Sequence, residues 1–187
     1  MPPAPPSRVK GIRLPNWISE VLDYEASERN VSVNSLIVSI LAKYAEWDRF
    51  AQKFGFVSIP DRILKSAFDE LEKPQIIRIA ESHVDLAREL VDFWFKRITT
   101  ENLVKFFQLN HKYSGLFQQE QIRNLHAVTF ILKHNLGRNW SEFVKASAEK
   151  SLTSILGSPP KTEIFEGSIR IKIPLREETV VINDMEA

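Results

Sequence analysis

Arg8, Lys10 and Arg13 fall within the first fifteen residues with no acidic residue among them, in a chain whose formal net charge is only +1. A guanidinium pairs bidentately with phosphate or with a guanine edge, and an ammonium meets phosphate as a point charge. Local charge in a nearly neutral chain points to a confined footprint on nucleic acid, not a general coat. The histidines are His83, His111, His126 and His134. His126 and His134 stand eight residues apart, about two helical turns. Neither His-x-His nor His-Glu-x-x-His occurs, and no acidic residue sits near them at ligand spacing, so no metal site is expected. The 187 residues contain no cysteine, which removes disulfides, thiolate zinc sites and a cysteine nucleophile.

Ser141 lacks a Gly-x-Ser-x-Gly setting, and the six glycines do not cluster into a phosphate loop or dinucleotide fingerprint. Binding without catalysis and without a cofactor is therefore expected. The most motif-like stretch is His134–Ser141. It reads as a helix-ending Gly137, an Asn139 N-cap and a Trp140 anchor, with a ligand or partner loop as the second reading.

The elements that must carry the basic residues come next. Arg8–Leu14 reads as a strand ending at Pro15, with Ile12 and Leu14 on one face and Val9, Gly11 and Arg13 on the other. A lone strand leaves its N–H and C=O groups unpaired, and no second strand precedes the helices. A second copy pairing across a two-fold axis is the simplest repair, which predicts a homodimer. The resulting positive two-stranded ribbon suits the DNA major groove. Apolar spacing then predicts one helix over Asn16–Glu28 and another over Ser32–Ala51, with Ser32 as N-cap.

Gly11-Ile12-Arg13-Leu14-Pro15, a helix, and Ser32-Val33-Asn34-Ser35-Leu36-Ile37 opening a second helix together resemble the ribbon-helix-helix family of Arc and MetJ-type repressors. The resemblance covers residues 8–50. It implies that Val9, Gly11 and Arg13 face the bases, and that the turn Ser32, Val33, Asn34 and Ser35 holds a phosphate through backbone N–H groups. A helix N-terminus is physically suited to that second role. Gly11 presents no side chain to a base, so Arg13 is the main reader. Arg8 and Lys10 are expected on phosphates.

The remainder reads as a mostly helical region. Patterns run over Asp61–Glu72, Pro74–Arg97, Thr100–His111, Gln118–His134 and Asn139–Leu156, the last with a capping box of Asn139 and Glu142. Thr162–Glu166 and Ile169–Ile173 alternate about Gly167-Ser168 as a hairpin, and Thr179–Ile182 is a candidate further strand. Phe93-Trp94-Phe95 cannot all face one side of a helix, so a second dimer contact is expected there.

The expected fold is mainly α: a flexible Pro-rich arm (1–7), a dimeric ribbon-helix-helix unit (8–52), then a helical domain with a small C-terminal β-hairpin (58–187). The expected function is a homodimeric, DNA-binding transcriptional regulator in the cytoplasm, at the nucleoid. Its second domain would serve oligomerisation, sensing or partner binding. The alternative is an antitoxin-like or scaffold interaction module in which DNA contact is secondary. No apolar run long enough for a membrane span occurs.

Overall fold

Pro15 starts the first helix. Its extended backbone turns the carbonyl to accept from Ile18 at 3.0 Å and Ser19 at 3.2 Å, so α1 runs Asn16–Glu28. It ends where Asn30 adopts a left-handed φ of 52° and the Val31 N–H donates back to the Ala26 carbonyl at 3.0 Å. The Ser32 hydroxyl then accepts from the Ser35 N–H at 3.1 Å and caps α2, Val33–Lys43. A π-helical turn, Tyr44–Asp48, leads into α3, Arg49–Phe54, which Gly55 closes at φ 96°. This computed structural model describes residues 8–175, and the chain divides into two compact units between Glu46 and Trp47.

In the first unit, Arg8–Leu14 is not a strand. Val9 is 100% exposed and Ile12 61% exposed, so the expected inward and outward faces do not exist in the single chain. No strand among the described residues pairs with this segment, so it has no ladder to join. All four strands found among the described residues lie beyond residue 117 and form one antiparallel sheet. The fold is therefore α/β. The expectation of a mainly α chain with an N-terminal ribbon and a small C-terminal hairpin is corrected.

The second unit builds its helical layer from α3, α4 (Asp61–Asp69), α5 (Lys73–Ser82), α6 (Leu86–Phe95), α7 (Thr100–Ser114) and α8 (Gly137–Leu156). The sheet contains β1 (Gln118–Arg123), β2 (Ala127–Lys133), β3 (Lys161–Phe165) and β4 (Ser168–Pro174), in the order β1-β2-β4-β3. The register sets Val128 beside Ile173, Phe130 beside Ile171 and Leu132 beside Ile169. These six share one face and are buried in one core with Ala148, Leu152 and Leu156 of α8. The opposite face presents Glu120, Lys133, Arg170 and Lys172 to solvent, as period-two alternation requires.

Several helices differ from their sequence patterns. Gln118–His134 is the β1–β2 hairpin, turned by the Asn124 side chain, which accepts from the His126 and Ala127 N–H groups at 2.9 and 2.8 Å. The β-branched, alternating Val128-Thr129-Phe130-Ile131 fits a strand once one face has a helix to pack against. Pro74–Arg97 is broken between α5 and α6, where Ser82 and His83 both donate to the Ile79 carbonyl, at 2.9 and 3.0 Å. α8 begins at Gly137, without a side-chain cap. Asn139 instead donates to the Phe68 and Leu71 carbonyls at 3.0 and 2.9 Å, satisfying the end of α4. The capping box of the unit belongs to α5, where the Glu72 N–H donates to Gln75 Oε1 at 2.7 Å.

Trp94 is buried between Trp47 and Phe106, with ring centroids 5.3 Å from each. Phe93 packs on Phe50 and Phe54. Phe95 is half-buried against the same core. The aromatic run is thus absorbed within its own unit. The Pro-rich arm 1–7 and the candidate strand Thr179–Ile182 lie outside the described residues.

Candidate functional site

Two regions concentrate chemistry. In the first unit, Arg8, Val9, Lys10, Gly11 and Arg13 all lie on an exposed segment without regular secondary structure, and none of the three cations has an ion-pair partner among the described residues. At the start of α2, Asn34 and Ser35 are exposed and Val33 is half-buried. The Ser32 and Ser35 hydroxyls bond to each other at 2.8 Å, and the Leu36 N–H donates to the Ser32 carbonyl at 3.0 Å. The Val33 and Asn34 N–H groups have no hydrogen-bond partner among the described residues, and they are the orphan donors that an anion would meet.

The apolar surface of this unit is equally notable. Ala26 and Leu36 are its buried hydrophobics, while Trp17 is 67% exposed, Tyr24 64% and Leu41 58%. A folded unit exposing so much apolar area marks an interaction surface.

In the second unit the histidines separate. His83 is exposed at the end of α5, and His126 sits in the exposed β1–β2 turn. His126 and His134 occupy opposite ends of β2, so they share no helix face. Among the described residues, no group of three or more His, Asp or Glu side chains is placed to hold a metal ion.

His134 is buried. Its Nδ1 accepts from the Leu136 N–H at 3.2 Å, which leaves the proton on Nε2, donating to Ser141 Oγ at 2.9 Å. Burial pushes its pKa down, in keeping with a neutral ring. In this tautomer His134 gives a proton toward Ser141 and cannot take one through the same nitrogen. Ser141 is itself 1% exposed, so this pair is not a nucleophile and its base.

No protein-family model, curated protein or solved structure matches this chain.

What remains is the geometry around Phe117. This ring lines a cavity of about 480 Å3, together with Asp61, Lys133, His134, Leu136 and Glu166. It also meets the rings of His111 at 5.2 Å, His134 at 5.9 Å and Trp140 at 6.4 Å. His111 is packed among Phe107, Phe117 and Phe130, and burial lowers its pKa to about 4. Nothing in the sequence pairs His111 with Phe117. The available signal was the spacing of Phe107 and His111, four apart on one helix face. Phe117 reaches them only through the fold.

Proposed function

We propose that the protein is a homodimeric DNA-binding regulator of transcription. The extended Arg8–Leu14 segments of two copies lie side by side in the major groove, and the N-termini of both α2 helices hold flanking phosphates. One observation carries this reading: a unit with little buried core presents unpaired cations and orphan N–H donors on the same surface-exposed polypeptide. A second copy covers the apolar residues, and DNA meets the charge. Arg13 supplies base contact, while Arg8 and Lys10 act on phosphate and add no sequence preference. The second unit serves oligomerisation, sensing or partner binding, and the protein works in the cytoplasm at the nucleoid.

The test is a gel shift over a salt series with a random duplex pool. Affinity should fall steeply as salt rises, and Arg13→Ala should cost about 1–3 kcal/mol of binding. Absence of binding to any duplex at low salt would sink the reading. The exposed Val38, Ile40 and Leu41 of α2 favour one rival, a module that docks another protein through this surface. A monomeric chain without DNA affinity would favour it.

A further inference from the structure

The outer face of the sheet in the second unit is open. Its side chains are exposed, apart from half-buried Thr129, Ile131 and Ser168. The register lines them up in rows across the four strands. One end row is Ile122, Thr129, Lys172 and Lys161, and the row at the other end carries Lys133 and Phe165.

Charge on this face does not cancel. Glu120 pairs with Lys133, and Glu163 pairs with Arg170 at 2.7 Å. Lys161 and Lys172 are left over, with no ion-pair partner among the described residues. They stand directly opposite each other in the β3–β4 register. Side chains so placed have Cβ atoms about 5 Å apart, and like charges there repel. An anion between the two ammonium groups removes that repulsion.

The far end differs. Phe165 lies four residues along β3 from Lys161, about 13 Å away. Its ring is 47% exposed, and the Arg170 guanidinium stands 4.9 Å from the ring centroid. Asp61 and Glu166 border this end beside Lys133 and Ser168, which makes it the poorer place for an anion. The face therefore joins a basic end that suits phosphate to a flat aromatic end that suits an uncharged ring. Single-stranded nucleic acid presents both groups, whereas a duplex hides its base faces in the stack. An acidic peptide would answer the lysines and leave the ring unused. A second copy is a poor match, because the centre of a protein interface is depleted of charge.

We infer that the open face of this sheet binds single-stranded nucleic acid, with phosphate between Lys161 and Lys172 and a base stacked on the Phe165–Arg170 pair. The site lies wholly in the second unit and does not depend on DNA contact by the first.

The experiment uses the full chain carrying Arg8→Ala, Lys10→Ala and Arg13→Ala, so that the cations of the first unit contribute nothing. The probe is fluorescein-labelled oligothymidylate of about twelve nucleotides, within the span such sites cover. Its anisotropy should rise saturably and the affinity should fall with salt. Adding Lys161→Gln and Lys172→Gln should weaken binding at least about tenfold at low salt and reduce the salt slope by about 1.4. Phe165→Ala should weaken it about fivefold or more, while Phe165→Trp should bind at least as well as the parent, with its added indole fluorescence quenched by the stacked base. These side chains are exposed, and thermal melts matching the parent check that each variant is folded.

No saturable binding at low salt would overturn the proposal. So would unchanged affinity in the lysine double variant or in Phe165→Ala. Tighter binding of labelled polyglutamate than of oligothymidylate, insensitive to Phe165→Ala, would mark an acidic-peptide surface and also overturn it. The cations of the first unit are absent from every sample, so failure here leaves the duplex reading standing, and loss of duplex binding leaves this one standing.

Discussion

In residues 8–46 the buried hydrophobics are Ala26 and Leu36, whereas the second unit buries a continuous set from Trp47 through Val91, Leu103 and Phe130 to Ile173. Both units draw on similar residue types, with aromatic and branched aliphatic side chains at helical spacing. The first leaves Trp17, Val21, Tyr24 and Leu41 in solvent, while the second encloses Trp47, Trp94 and Phe106 in tilted and edge-on ring contacts. A small unit buries too small a fraction of its surface to be stable on hydrophobic burial alone. The difference teaches that the second unit supplies its own core, and that the first needs a surface from elsewhere to complete one.

The sharpest way to probe that contrast is to damage the complete core. Phe130→Ala removes a side chain 1% exposed, and should cost about 3–5 kcal/mol in urea unfolding. A loss below about 1 kcal/mol would show that the second unit is not held by this layer.

Acid provides the next probe, through His111. Its folded pKa, near 4, lies below the ordinary 6.5, so between those values the unfolded chain binds more protons than the folded one. Stability is fully present above pH 6.5, declines as pH falls toward 4, and the protection amounts to about 3 kcal/mol at most. His134 is shifted in the same direction by the same cause. His111→Leu should flatten much of this acid dependence in thermal melts from pH 7 to pH 4. An unchanged profile would remove His111 as its source.

The first unit is tested by its association. On the proposed homodimer, Leu41→Lys places a charge on the exposed apolar side of α2 and should shift sedimentation toward monomer, with a loss of about 1.5–3 kcal/mol per side chain buried in the interface. Unchanged mass would separate Leu41 from the proposed dimer contact. The smallest of these effects belongs to the α2 cap. Ser32→Ala loses the bond to the Ser35 N–H and should destabilise the first unit by about 1 kcal/mol, read by amide exchange at Ser35 and Leu36.

Legibility along the chain followed how local each determinant was. The starts of α1 and α2 and the β3–β4 hairpin about Gly167 could be read from caps and turn residues. The candidate site divides in the same manner. Arg8, Lys10, Arg13 and the Ser32 turn are legible from charge and capping chemistry. The Phe117 cavity brings together residues from α4, β2 and the turns flanking the sheet, which no sequence spacing joins.

By itself the sequence determined where α1 and α2 begin, where the β3–β4 hairpin turns, and where unbalanced positive charge sits. These depend on bonds and sterics within a few residues. Tertiary structure alone decided that Gln118–Lys133 is a hairpin, that Asn139 finishes α4 instead of starting a helix, and that Arg8–Leu14 stays unpaired in one copy. A strand requires a ladder partner and a face to bury. Those partners, like the aromatic shell that strands His111, lie far away in the chain and arrive only when the elements pack.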